Sequence, residues 1–204
     1  MNIKDVIRSY RVVPVVVFNS IDEVRPKLQA MLGGGLPIAE ITYRTACAGE
    51  AIRIAVSEFK DLYVGAGTVI NAEQAEQAVG YGAKFIVSPG FSTAVAAVCR
   101  AAGVPYLGGC ATPTEIMTAI DSGCDVIKFF PATVYGGLPA MKALAAAFPQ
   151  ITFLPTGGIS DKNLAEYLAW DKIFAVGGSW MMKGTPEEIK TKCAQALAIA
   201  KSVK

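Results

Sequence analysis

Eight short apolar runs recur along the chain at intervals of about 20–26 residues, each followed by an amphipathic stretch. They are Val12–Phe18, Ile38–Thr42, Tyr63–Ala66, Lys84–Ser88, Pro105–Gly109, Val126–Phe130, Ile151–Pro155 and Phe174–Gly177. An interval of this size holds one strand, one helix and two turns. Strict alternation implies a parallel sheet covered by helices. Eight units favour closure into a barrel over an open, doubly wound sheet. An open sheet would usually offer a nucleotide fingerprint, yet no Gly-x-Gly-x-x-Gly follows the first run and no Walker motif occurs. The expected fold is therefore α/β: a (β/α)8 TIM barrel with an extra N-terminal helix, Ile3–Tyr10, capping its bottom. With 204 residues, 52% of them apolar, and no linker or low-complexity tract, one domain over 1–204 is expected.

Helix boundaries are marked chemically. Ser20-Ile21-Asp22-Glu23 and Thr112-Pro113-Thr114-Glu115 fit the capping box, and Asn71-Ala72-Glu73-Gln74 is a weaker version. Thr185-Pro186-Glu187-Glu188 opens the last helix, where Ile189, Cys193, Ala196, Leu197 and Ala200 fall at helical spacing. Glycines at 33–35, 80, 82, 103 and 123 read as stops.

Composition narrows the function. A formal net charge of +2 without a basic or acidic block argues against nucleic acid or a membrane surface as partner. No run approaches a transmembrane helix, and the first residues lack a signal-peptide core, so the cytoplasm is the expected location. The 5 scattered cysteines contain no Cys-x-x-Cys pair and read as reduced thiols. The chain has no histidine. That removes Ser-His-Asp and Cys-His nucleophiles and His-based metal sites. Acid–base work falls to carboxylate, lysine, tyrosine, cysteine or water.

Lys128 stands inside the sixth run, Val126-Ile127-Lys128-Phe129-Phe130. Strand alternation puts Val126, Lys128 and Phe130 on one face. A lysine is rarely buried without a reason. An apolar site disfavours the ammonium, and a neutral amine attacks carbonyl carbons. The plainer reading is an edge-strand lysine whose head reaches solvent.

Active sites of such barrels lie at the C-terminal ends of the strands. There, Glu40, Thr42 and Arg44 share parity, so all three face the mouth. Helices would cover the other face, so Glu40 points inward. It is either a core ion pair, with Arg44 or Lys128, or a proton shuttle beside the amine. Gly65-Ala66-Gly67-Thr68 implies close backbone approach and a hydroxyl at the mouth. Ser88-Pro89-Gly90 is a turn, open to reading as rim or as punctuation. Thr156-Gly157-Gly158 and Gly177-Gly178-Ser179 follow the last two strands, where bare N–H groups and helix N-termini suit a phosphate. Gly136-Gly137 is expected to add a longer loop over the site.

Taken together, Glu40-Ile41-Thr42-x-Arg44-Thr45, Gly65-Ala66-Gly67-Thr68, Ser88-Pro89-Gly90, Ala111-Thr112-Pro113-Thr114-Glu115, Lys128-Phe129-Phe130-Pro131-Ala132, Pro155-Thr156-Gly157-Gly158-Ile159 and Gly177-Gly178-Ser179-Trp180 resemble the 2-keto-3-deoxy-6-phosphogluconate (KDPG) aldolase family over nearly the whole chain. The resemblance implies a class I aldolase without metal or cofactor, usually a homotrimer. Such an enzyme cleaves KDPG, a keto-acid phosphate, to pyruvate and glyceraldehyde 3-phosphate, and some members act on 4-hydroxy-2-oxoglutarate. By motif, it implies that Lys128 is the Schiff-base lysine and Glu40 the general acid/base. It likewise makes Arg44 and Thr68 carboxylate binders, and Gly157, Gly158 and Ser179 the phosphate site. Thr156 falls near the substrate hydroxyls, and Phe130 and Pro89 line the pocket. One departure is Thr133, where many relatives carry an acidic residue; it bears on the choice of keto acid. Three other readings stand beside this one: the same chemistry on 4-hydroxy-2-oxoglutarate or the galactonate analogue, a non-covalent phosphosugar isomerase or epimerase using Glu40 as base, and a non-catalytic phosphate-binding scaffold.

Overall fold

The computed structural model describes residues 2–203; Met1 and Lys204, the ends of the expected 1–204 unit, lie outside the described residues. Among them the strands are β1 (Val12–Val16), β2 (Ile38–Thr42), β3 (Tyr63–Gly67), β4 (Phe85–Val87), β5 (Tyr106–Leu107), β6 (Val126–Phe129), β7 (Thr152–Pro155) and β8 (Val176–Gly178). The helices are α1 (Ile3–Tyr10), α2 (Val24–Gly33), α3 (Ala48–Glu58), α4 (Ala72–Gly80), α5 (Thr93–Ala102), α6 (Pro113–Asp121), α7 (Gly137–Ala147), α8 (Leu164–Leu168) and α9 (Pro186–Ser202). All eight expected runs contain a strand, with ends that differ by a few residues.

Pairing is parallel throughout, in the order β5-β4-β3-β2-β1-β8 and, separately, β6-β7. Bridges between Gly109 and Lys128 and between Thr156 and Gly177 join the two groups and close the ring. The result is a (β/α)8 barrel. Two apolar cores follow from strand alternation. Outward side chains such as Ile41, Ile127, Phe129 and Phe153 pack under Leu28, Met31, Ile52, Ile116 and Met141 of the helices. Inward ones, Val13, Ile38, Phe85, Leu107, Val126 and Leu154, fill the lower barrel. Val6 and Ile7 of α1 plug its N-terminal end. Gly65 makes the inner layer possible, because a Cβ there would lie 2.2 Å from the Phe85 ring. Val126 faces in while Ile127 and Phe129 face out, which puts Lys128 on the inner face above Val126.

Caps form at Asn71, Thr112 and Thr185, the last two as complete capping boxes with proline in the first turn. The box expected at Ser20 does not form. Ile21–Glu23 is a 3-10 turn, Ser20 makes no side-chain cap bond, and Glu23 instead accepts from the Asn19 N–H at 3.0 Å and from Lys27 at 2.9 Å. Pro26 accounts for the shift: it has no N–H to donate and suits the first turn of a helix that begins at Val24. Gly136-Gly137 closes the loop 130–136 that separates β6 from α7. At φ 92° and 55° these residues turn the chain directly into α7. The Gly137 N–H donates to Ala132 O at 2.9 Å. No helix among the described residues is long and apolar enough to cross a membrane.

Candidate active site

Lys128 is 1% exposed and Glu40 0%. The Lys128 Nζ donates to Glu40 Oε1 at 3.2 Å, across the barrel from β6 to β2. Glu40 therefore pairs with the lysine and not with Arg44. Register places Glu40 opposite Gly65, but its carboxylate lies over Gly67, two residues further along β3. The side chain thus leans toward the C-terminal end of the barrel. Gly67 permits this: a Cβ there would stand 2.3 Å from Oε1 and 2.5 Å from Cγ. The close approach implied by Gly65-Ala66-Gly67 is made by protein side chains.

Two buried side-chain atoms have no hydrogen-bond partner among the described residues, Glu40 Oε2 and Thr156 Oγ1. A buried polar atom left unpaired costs about 1–3 kcal/mol. Such atoms are few in folded proteins and call for a functional explanation. Thr156 is seated against β8, where Gly177 leaves room; a Cβ there would come within 2.2 Å of Oγ1.

Above this floor is a cavity of ≈ 80 Å³ lined by Val15, Arg44, Phe130, Thr156, Gly157, Gly158, Ile159, Gly178 and Ser179. Six of the expected site residues meet here. The Phe130 ring centroid lies 5.3 Å from Lys128 Nζ, which links the cavity wall to the buried amine. Arg44 is exposed and its Nε donates to Thr68 Oγ1 at 3.0 Å. Thr68 adopts φ 53°, a left-handed conformation that β-branched residues rarely take and that costs about 1–3 kcal/mol. With Nε engaged, the paired terminal nitrogens of Arg44 remain to grip a carboxylate. Thr42 turns its hydroxyl to Val16 O at 3.0 Å, so it ties β1 to β2. Pro89 stands apart from the cavity: its carbonyl abuts Gly109, which in turn bridges Lys128.

The Gly157–Gly158 turn has φ of 97° and 76°. The backbone N–H groups of Gly158, Ile159 and Ser179 have no acceptor among the described residues. Three bare donors at one rim suit an anion.

The three fully buried thiols are poor rivals to the lysine as nucleophile. Burial pushes Cys99, Cys110 and Cys193 up to about 12, so they stay protonated at neutral pH. Among the described residues, no group of three or more Cys, Asp or Glu side chains could hold a metal ion. A larger hollow of ≈ 860 Å³ on the outer wall, lined by Arg25, Gln29, Glu58, Phe59 and Lys190 among others, contains neither of the unpaired buried atoms.

Sequence reasoning missed Val15 and Ile159 as wall residues and the seat that Gly67 gives Glu40. Register could have found Val15, which pairs with Glu40 on the neighbouring strand.

Known proteins resemble the chain along nearly its whole length. The family described as KDPG and KHG aldolase matches residues 3–196. The 2-dehydro-3-deoxy-phosphogluconate aldolase of Treponema pallidum is 44% identical over 89% of this chain and 87% of its own length. The crystal structure of the Zymomonas mobilis ZM4 2-keto-3-deoxy-6-phosphogluconate aldolase with 3-phosphoglycerate superposes with a TM-score of 0.92 at 40% identity, covering 97% of this chain and 96% of that one. The Legionella pneumophila KDPG aldolase, with pyruvate captured at low pH as a covalent carbinolamine intermediate, gives a TM-score of 0.87 at 35% identity, covering 98% and 97%. With a buried lysine–glutamate pair beneath an anion-ready rim, and this likeness along nearly its whole length, the chain belongs to the KDPG and KHG aldolase family.

Proposed function

We propose that the protein is a class I aldolase that cleaves 2-dehydro-3-deoxy-6-phosphogluconate to pyruvate and D-glyceraldehyde 3-phosphate. The observation that carries this reading is the buried Lys128–Glu40 pair with Glu40 Oε2 left unpartnered. A proton that must leave Nζ before attack has an acceptor 3.2 Å away. The freed amine adds to the C2 carbonyl; Glu40 hands its proton to the carbinolamine hydroxyl, which leaves as water, giving a protonated imine and a carboxylate again. Glu40 takes the C4 hydroxyl proton. The C3–C4 bond breaks, its electrons pass to the imine nitrogen, and the aldehyde leaves. Glu40 returns a proton to C3 of the enamine, and water releases pyruvate from Lys128. The protonated imine is the electron sink, so the residues supply the whole reaction.

Arg44, oriented by Thr68, holds the pyruvyl carboxylate. Thr156 addresses the substrate hydroxyls with its otherwise idle Oγ1. Phe130 borders the reacting carbons, and Pro89 backs the Gly109 strand end that bridges Lys128. Gly157, Gly158 and Ser179 receive the phosphate. The unpaired N–H groups at that rim favour a phosphorylated substrate over 4-hydroxy-2-oxoglutarate, the other substrate in the family's name. The enzyme works as one barrel over 1–204, in the cytoplasm and as a homotrimer, without nucleic acid or membrane partner.

Steady-state cleavage of the two keto acids, read as pyruvate release in the presence and absence of a chelator, tests the reading. Faster use of the phosphorylated substrate, unchanged by chelation, is expected. Sugar-phosphate isomerisation without pyruvate release would replace the aldolase by a non-covalent isomerase.

A further inference from the structure

Past Lys128, the chain turns through Phe130-Pro131-Ala132-Thr133 and lies down on the Thr156-Gly157-Gly158 segment. The Ala132 N–H donates to Thr156 O at 2.8 Å and the Thr133 N–H to Gly157 O at 3.2 Å. The Thr133 side chain occupies the space that a side chain at 158 would need. A Cβ on Gly158 would stand 1.8 Å from Thr133 Oγ1 and 2.6 Å from its Cγ2. Asn163 Nδ2 fastens the Gly158 carbonyl from the other side at 3.2 Å. Gly158 is therefore clamped between Thr133 and Asn163, with its N–H left without an acceptor among the described residues. The Thr133 hydroxyl also makes no hydrogen bond among them. It stands directly beside the bare Gly158 rim, and it is neutral.

We propose that Thr133 is a specificity-determining residue: its free hydroxyl donates to the anionic terminus of the substrate at the Gly157–Gly158 turn. This rests on the anion site of the proposed aldolase reading and names a further residue of it. A hydroxyl can donate without bringing charge.

The test compares Thr133→Val and Thr133→Ser on KDPG and on 4-hydroxy-2-oxoglutarate, with kcat and KM measured separately. Val keeps the shape and removes the donor. It should raise KM for KDPG roughly tenfold, the scale of one hydrogen bond to a charged group, with kcat little changed. The ratio of the two kcat/KM values should fall by the same factor. Ser should restore the ratio to within about threefold. Equal losses on both substrates, or equal losses in Val and Ser, would overturn the proposal and leave Thr133 a packing residue of the turn. Borohydride trapping of pyruvate on the wild type separates the two levels. An untrapped wild type, or one without preference for the phosphorylated substrate, defeats the aldolase reading itself. A trapped, phosphate-preferring wild type whose Val variant is unchanged defeats only the role of Thr133.

Discussion

Gly67→Ala isolates the placement of Glu40 from its chemistry. The new Cβ would lie 2.3 Å from Oε1, 2.5 Å from Cγ and 2.8 Å from Cδ of Glu40. Ordinary contact is about 3.4 Å, so the carboxylate must retreat by roughly 1 Å. The Lys128–Glu40 contact of 3.2 Å cannot survive that retreat unchanged. Gly67 lies in β3 without a left-handed φ, so alanine brings no backbone strain. The cost to the fold is that of overpacking, about 1–3 kcal/mol. For a chain of this size that lowers Tm by roughly 2–4 °C per kcal/mol. The cost to the reaction is larger, since a 1 Å misplacement of a catalytic group loses on the order of 100-fold in rate. The assay is pyruvate release from KDPG at 25 °C, alongside a thermal melt. Imine formation should persist, because the amine of Lys128 is retained. A folded Gly67→Ala enzyme with near-normal kcat would refute the claim that the position of Glu40 matters to turnover.

Other perturbations address single links. Glu40→Gln keeps the shape and removes the proton carrier, and kcat should fall by about 10²–10⁴-fold; normal turnover with a lower Tm would make Glu40 a structural partner only. Ser179→Asp should weaken the phosphorylated substrate far more than pyruvate, because the new carboxylate would stand at the bare N–H rim; equal losses, read from KM and from the pyruvate concentration needed for trapping, would move the anion site elsewhere. Thr112→Ala should destabilise by about 1 kcal/mol through loss of the α6 cap. The Glu115 carboxyl of that cap is raised by burial but lowered further by the Ala111 and Thr112 donors, and the net shift is downward. Its contribution is therefore complete above the unfolded value near ~4.3 and is lost as pH falls through the lower folded value. The stability gap between wild type and Glu115→Gln in urea should accordingly close in acid, and a gap that widens on acidification would contradict the assignment.

Much of the barrel was legible because each element announces itself locally. Val126-Ile127-Lys128-Phe129 reads as a strand from its own residues, and alternation puts Lys128 on one face with Val126; that this face is the inner one follows from the barrel. Thr112 and Thr185 cap their helices as their spacing requires. Ser20 failed because Pro26, six residues on, decides where α2 can start, and a four-residue pattern does not include it. The six residues that meet in the cavity were legible as strand ends. Their partners were not, since the choice of Lys128 over Arg44 for Glu40 depends on barrel closure, which brings residues 88 positions apart to 3.2 Å. The contact of Thr133 with Gly158 has the same origin. It joins the turn after β6 to the turn after β7, and no local pattern encodes it.

The central claim is that Lys128 forms the imine. Incubation with pyruvate and borohydride, followed by peptide mapping, tests it most directly. One reduced pyruvyl group per chain is expected, on Lys128, because its buried Nζ faces the cavity floor beside Glu40. Lys84 is exposed and opens the way into β4 at the opposite end of the barrel. Lys142 lies on α7, outside the barrel. Lys128→Met preserves length and apolar packing while removing the amine, so the fold should persist and the label should disappear. A label on another lysine, or one retained in Lys128→Met, would contradict the mechanism at its centre.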